Sequence, residues 1–243
     1  MLSNVTLNII EIDVGYGRDH GLLQAFRAAT LGKLSSIVLF AMDSPKGFLE
    51  AFESAAHATS IPATLSEFLF FTSHRWKPNY ISLLPFTQLR QLVVEFSCLP
   101  DCSSTVDDDV VTDLARTLPK LEILRFGKSP CGEPTGITAR GFAALACQCL
   151  RLSCLSIHFQ VAGLSPSEVP PVASGGETSM PREECVLTEL HVGCTRLPGE
   201  SASMVIETLT CIFPNLKFIN YSHMSWKKAV KAMMNAKRFV DPT

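Results

Sequence analysis

The chain has 243 residues, of which 47% are apolar and 18% charged, and its formal net charge is −2. That composition supplies a sizeable core and excludes wholesale disorder, and the near-neutral charge excludes a global basic field for nucleic acid. No run of 18 or more uncharged apolar residues occurs, which argues against a membrane span.

The N-terminus, MLSNVTLNIIEIDV, has no basic start and meets acidic residues at once, unlike a secretory signal. The nine cysteines are an odd number, and Cys147, Cys149, Cys154 and Cys211 sit inside apolar patterns. This predicts buried thiols in a reducing compartment, cytoplasm or nucleus, rather than a disulfide framework.

A strand pattern L-x-x-L-x-L, with other large apolar residues allowed, opens at Leu7/Ile10/Ile12 and recurs at Leu34/Ile37/Leu39, Leu65/Phe68/Phe70 and Leu89/Leu92/Val94. It continues at Leu121/Leu124/Phe126, Leu152/Leu155/Ile157, Leu187/Leu190/Val192 and Leu216/Ile219/Tyr221. The first positions are 27, 31, 24, 32, 31, 35 and 29 residues apart, close to a leucine-rich-repeat period. A single unit of this size cannot bury its own apolar face and must stack on its neighbours.

Between the strands, Leu22, Leu23, Phe26 and Leu31 form one helix face, and Phe48, Leu49 and Phe52 another. Asp107, Asp108 and Asp109 favour the positive end of a helix running through DDDVVTDLARTLPKL. Thr138 caps a helix carrying Phe142, Leu145 and Ala146, and a later helix holds Met204, Val205, Leu209 and Phe213. A large residue three places before the strand closes several turns: Leu31, Leu118, Cys149 and Phe213.

Two segments break the pattern. Residues 72–85 are too short for a full helix, and 163–186, rich in Pro, Ser, Gly and Glu, is expected to be a flexible insertion. A C-terminal helix at about 225–238, with Trp226, Val230, Met233 and Met234 on one face and Lys227, Lys228 and Lys231 on another, is expected to cap the stack. The first strand has no such cap before it, which points to a longer ancestor or a covering partner. The expectation is therefore an α/β leucine-rich-repeat solenoid over 1–243, a single domain of about eight irregular repeats. It would be a right-handed, curved horseshoe with a parallel sheet on the concave face and helices on the convex face.

The segment 137–157 resembles the cysteine-containing leucine-rich repeats of F-box proteins. Ile137 and Thr138, Phe142, Leu145 and Ala146, Cys149, and then Leu152, Leu155 and Ile157 fill that pattern in order. The whole chain, with its Leu-Pro-Lys-Leu and Phe-Pro-Asn-Leu joints, is similar to the repeat region of fungal F-box/LRR-like proteins. The resemblance implies a substrate-recognition or adaptor module of a ubiquitin ligase. No F-box of about 45 residues fits before Leu7, so only the recognition half carries over.

Alternation along each strand sends the third, fifth and seventh places of the pattern to the face away from the core. Val38, Phe40, Leu69, Phe71 and Val93 would then form one apolar patch, a usual mark of an interaction surface, with Glu67, Glu95 and Arg125 setting register. The alternative is that a one-residue shift, or the 72–85 loop, buries them. Trp76, beside His74, Arg75, Lys77 and Tyr80, is either an interface anchor or a lid over the core.

His158 and His191, with Cys154 and Cys194, fall on neighbouring strands, but no tight ligand spacing occurs, so no metal or other cofactor is expected. No catalytic motif is visible: Gly15-x-Gly17 lacks the rest of a phosphate loop, and no G-x-S-x-G or H-E-x-x-H is present. The expected function is a non-catalytic protein-interaction scaffold whose partners are proteins rather than nucleic acid or membrane. An enzyme-inhibitor horseshoe and a hydrolase with an unrecognised site are the alternatives.

Overall fold

The structure, a computed structural model, describes residues 9–14, 35–41, 64–72, 83, 86–97, 106–128, 136–159, 161–164, 184–193, 195–198 and 201–238. Eight strands are present among them: β1 (Ile9–Val14), β2 (Ser36–Ala41), β3 (Glu67–Thr72) and β4 (Gln91–Ser97), then β5 (Ile123–Lys128), β6 (Cys154–Ser156), β7 (Glu189–Gly193) and β8 (Phe218–Tyr221). The described α-helices are α1 (Asp108–Thr117), α2 (Ala139–Gln148), α3 (Ala202–Ile212) and α4 (Trp226–Arg238). The expected helix faces at 22–31 and 48–52, the loop carrying Trp76, and most of 163–186 lie outside the described residues.

All eight strands join one sheet in chain order, and every pair is parallel. With helices in the later crossovers, this arrangement fits a solenoid-like α/β fold. The apolar triplets set the register. Ile10, Ile37, Phe68, Leu92, Leu124, Leu155, Leu190 and Ile219 lie in one row across the whole sheet. From Ile37 onward that row is buried, as are the leading leucines Leu65, Leu89, Leu121, Leu152, Leu187 and Leu216. A slip of one residue in any strand would turn its buried set outward, so burial and register enforce each other.

Just before the strands, one carbonyl per unit accepts two backbone N–H groups from the next. Ser35 O takes Ser66 and Glu67, Ser66 O takes Arg90 and Gln91, and Arg90 O takes Glu122 and Ile123. The series continues through Glu122, Ser153 and Thr188. The Ser66, Ser153 and Thr188 hydroxyls donate to the same carbonyls.

The helices bury one face each against this row. Val111, Leu114 and Ala115 of α1 meet Phe142, Leu145 and Ala146 of α2, then Val205, Leu209 and Ile212 of α3, in a single core. Each large side chain buried this way contributes roughly 1.5–3 kcal/mol. The predicted joints occur at the C-caps Leu118, Cys149 and Phe213, whose carbonyls accept from Leu121, Leu152 and Leu216. Phe86 does the same for Leu89, although no described helix precedes it.

Cys149 has a second role: its thiol donates toward the carbonyls of Ala115 (3.7 Å) and Leu118 (3.6 Å) in the preceding unit. Burial pushes that thiol from 9.0 up to about 12. Cys154 and Cys185 are also buried, but Cys147 is half-buried and Cys211 exposed, because α2 and α3 turn those two positions away from the core.

The acidic run is a helix start, as expected, and it serves two helices. Asp107 caps α1 by accepting from Val110 N (3.0 Å). Asp108 accepts from Thr138 N, Thr138 Oγ1 and Gly141 N, holding the start of α2. At the C-terminal end, α4 covers the stack. Trp226 is fully buried, its Nε1 donates to Thr195 O (2.8 Å), and its ring meets Phe159 edge-on at 6.0 Å. Among the described residues no helix is long and apolar enough to cross a membrane.

Candidate protein-binding face

Side chains that alternate away from the core line the other face of the sheet in three rows. The first runs Ser36, Glu67, Gln91, Ile123, Cys154, Glu189, Phe218. The second runs Val38, Leu69, Val93, Arg125, Ser156, His191, Asn220. The third begins Phe40, Phe71, Glu95 and is interrupted by a register shift between Val94 and Ser97. Neighbouring strands in a sheet lie about 4.7–4.9 Å apart, which brings adjacent residues of a row close enough to interact directly.

The second row changes character along its length, from aliphatic in β2–β4 to polar in β5–β8. At the apolar end Phe40 and Phe71 stack with centroids 5.0 Å apart and planes 13° from parallel. Phe40 is 37% exposed, and Val38, Leu69 and Phe71 are half-buried. Val93 differs from the expectation: it lies on this face but is only 4% exposed. Its register partners are Leu69 and Arg125, and these two longer side chains shelter the short one between them. Glu67 is exposed and Glu95 half-buried at the edge of the patch. Trp76 lies outside the described residues.

At the polar end, Arg125, Ser156, His158, His191 and Asn220 border a concavity of about 260 Å³. The Arg125 Nε is buried with no hydrogen-bond partner, and its Nη2 donates to Cys154 Sγ at 3.8 Å. Burial pushes the Cys154 thiol up, and the Arg125 hydrogen bond and charge pull partly the other way. Glu189 Oε1 lies 2.9 Å from His191 Nε2 and accepts from Asn220 Nδ2 at 2.7 Å. His158 rests on the backbone of Gly193, which has φ +53°; a Cβ there would collide with the His158 ring.

The two histidines paired by sequence reasoning both border this concavity, but they are not register partners. Ser156, not His158, is opposite His191 in the sheet. Instead Cys154, Glu189 and His191 converge, with one donor atom from each lying within 4.8 Å of the others. Cys194 lies outside the described residues. The sequence reading missed Glu189 as a member of this group; its i, i+2 spacing from His191, which puts both side chains on one strand face, is the signal that could have found it.

No protein-family model matches this chain, and no match was found among curated proteins.

Proposed function

We propose that this chain is a non-catalytic protein-binding scaffold, a leucine-rich-repeat solenoid of about eight irregular repeats. The sheet would line the concave side of a horseshoe, and the helices its convex side. Within that class the reading is a substrate-recognition or adaptor module related to F-box/LRR proteins, with ubiquitin-ligase substrates or subunits as partners in cytoplasm or nucleus. One observation carries it: the Phe40–Phe71 stack on the sheet face opposite the core, with Phe40 37% exposed. Apolar surface held open on a rigid sheet marks an interaction site, and aromatic side chains are common energetic anchors.

The repeat class is supported by the unit at 137–157, where Thr138 caps the helix and the Cys149 thiol reaches back to the preceding unit. The polar end of the face would orient a partner whose apolar part sits on the stack. Affinity capture with mass spectrometry tests this, using the full chain and a Phe40→Ser/Phe71→Ser variant. A stoichiometric partner retained by the wild type and lost by the folded variant is the expected result. A variant that keeps the partner, or that unfolds as a core substitution would, defeats the reading.

A further inference from the structure

We propose that Cys154, Glu189 and His191 form a binding site for a divalent transition-metal ion of the zinc class, with a fourth coordination position open to solvent. The proposal does not depend on the protein-binding reading. Cys154 of β6 and Glu189 of β7 are directly opposed, and His191 follows two residues after Glu189 on the same face. Their donor atoms, a thiol sulfur, a carboxylate oxygen and an imidazole nitrogen, all lie within 4.8 Å of one another. Donors around a tetrahedral zinc stand roughly 3.4–3.6 Å apart, given bonds of about 2.0–2.3 Å, so small side-chain rotations bring them into place.

The chemistry of the set selects the ion. A thiolate with an imidazole favours zinc and its neighbours over magnesium or calcium, which prefer all-oxygen sites. Thiolate and carboxylate together carry two negative charges, matching a divalent cation. On loading, the thiol proton leaves to solvent, and the ion displaces any proton shared between Glu189 Oε1 and His191 Nε2, now 2.9 Å apart. Asn220, 2.7 Å from Glu189 Oε1, stays as an outer partner that orients the carboxylate. Arg125 remains hydrogen-bonded to the sulfur, and its positive charge opposes the ion and limits affinity. Three protein ligands on an open sheet face leave the fourth position to water or to a donor atom from a bound molecule.

The test is a Co²⁺ titration of the full, reduced chain without a His tag, followed by Zn²⁺ displacement. One equivalent of Co²⁺ should produce a near-ultraviolet sulfur-to-cobalt band that Zn²⁺ removes. Cys154→Ser should abolish the band. Glu189→Gln and His191→Asn should each weaken binding by at least the ~10-fold that losing even an outer partner costs. Cys211→Ser, remote on α3, should leave it unchanged. Far-ultraviolet circular dichroism checks that each variant is folded. The proposal is overturned by absence of saturable binding, by a band that survives Cys154→Ser, or by unchanged affinity in folded Glu189→Gln and His191→Asn.

Discussion

The Thr138 hydroxyl donates a 2.6 Å hydrogen bond to Asp108 Oδ2, 30 residues earlier in the chain. The same carboxylate accepts from Thr138 N and Gly141 N. One side chain at the head of α1 therefore satisfies the head of α2. Replacing Asp108 with Ala leaves three donors without an acceptor and should cost about 2 kcal/mol, whereas Asp107→Ala removes an exposed cap on its own helix and should cost about 1 kcal/mol. Chemical denaturation measures both. Asp108→Ala and Thr138→Ala combined should cost less than the sum of the single changes, because both remove the Thr138 Oγ1–Asp108 Oδ2 bond.

Cys149 provides a pH-dependent test. Its folded pKa, about 12, lies above the ordinary 9.0, so the folded state holds the proton where the unfolded state releases it. Below pH 9 both states are protonated and the full contribution to stability is present. Between pH 9 and 12 the unfolded state binds fewer protons, and stability falls with a slope of up to about 1.4 kcal/mol per pH unit. Wild type minus Cys149→Ala, followed by thermal melts from pH 8 to 11, isolates this loss. At pH 8 the native thiol should resist iodoacetamide and react only after unfolding.

The two faces of β2 and β3 predict opposite outcomes for similar substitutions. Phe40→Ser and Phe71→Ser break an aromatic pair worth about 0.5–1.5 kcal/mol and should leave a folded protein that loses its partner. Phe68→Ala and Phe70→Ala excavate the core and should cost about 3–5 kcal/mol each. Denaturation midpoints separate the two classes before any binding assay is run.

Gly193 requires its missing side chain twice. Its φ of +53° costs an L-residue roughly 1–2 kcal/mol, and a Cβ would strike the His158 ring. Gly193→Ala should therefore destabilise by more than the backbone term alone. In a His158→Ala background the same change should fall back toward that term, as a double-mutant cycle would read.

The buried half of the strands from β2 onward was legible from sequence because a parallel strand packed on one face shows its inward residues as recurring large apolar side chains. Thr138, Asp107 and the joints at Leu118, Cys149 and Phe213 were legible for a similar reason, since caps and stops act within a few residues. Shelter of Val93 was not, because alternation assigns a face but not the reach of the neighbours Leu69 and Arg125. The Cys154–Glu189–His191 cluster needed the alignment of β6 with β7 across a 35-residue interval, which no local motif specifies. Cys211 was misplaced because an apolar neighbourhood in sequence does not say which side of a helix turns outward.

The doubly used carbonyls from Ser35 to Thr188 have a kinetic consequence. Each unit is fastened only to the ones beside it, so loss of order is expected to spread as a moving front instead of striking everywhere at once. Deuterium uptake should then be slowest in the middle of the array, around Leu124 and Leu155, and quicken toward its margins. The buried Trp226 should slow fraying at the C-terminal margin, and its fluorescence would report the front's arrival there.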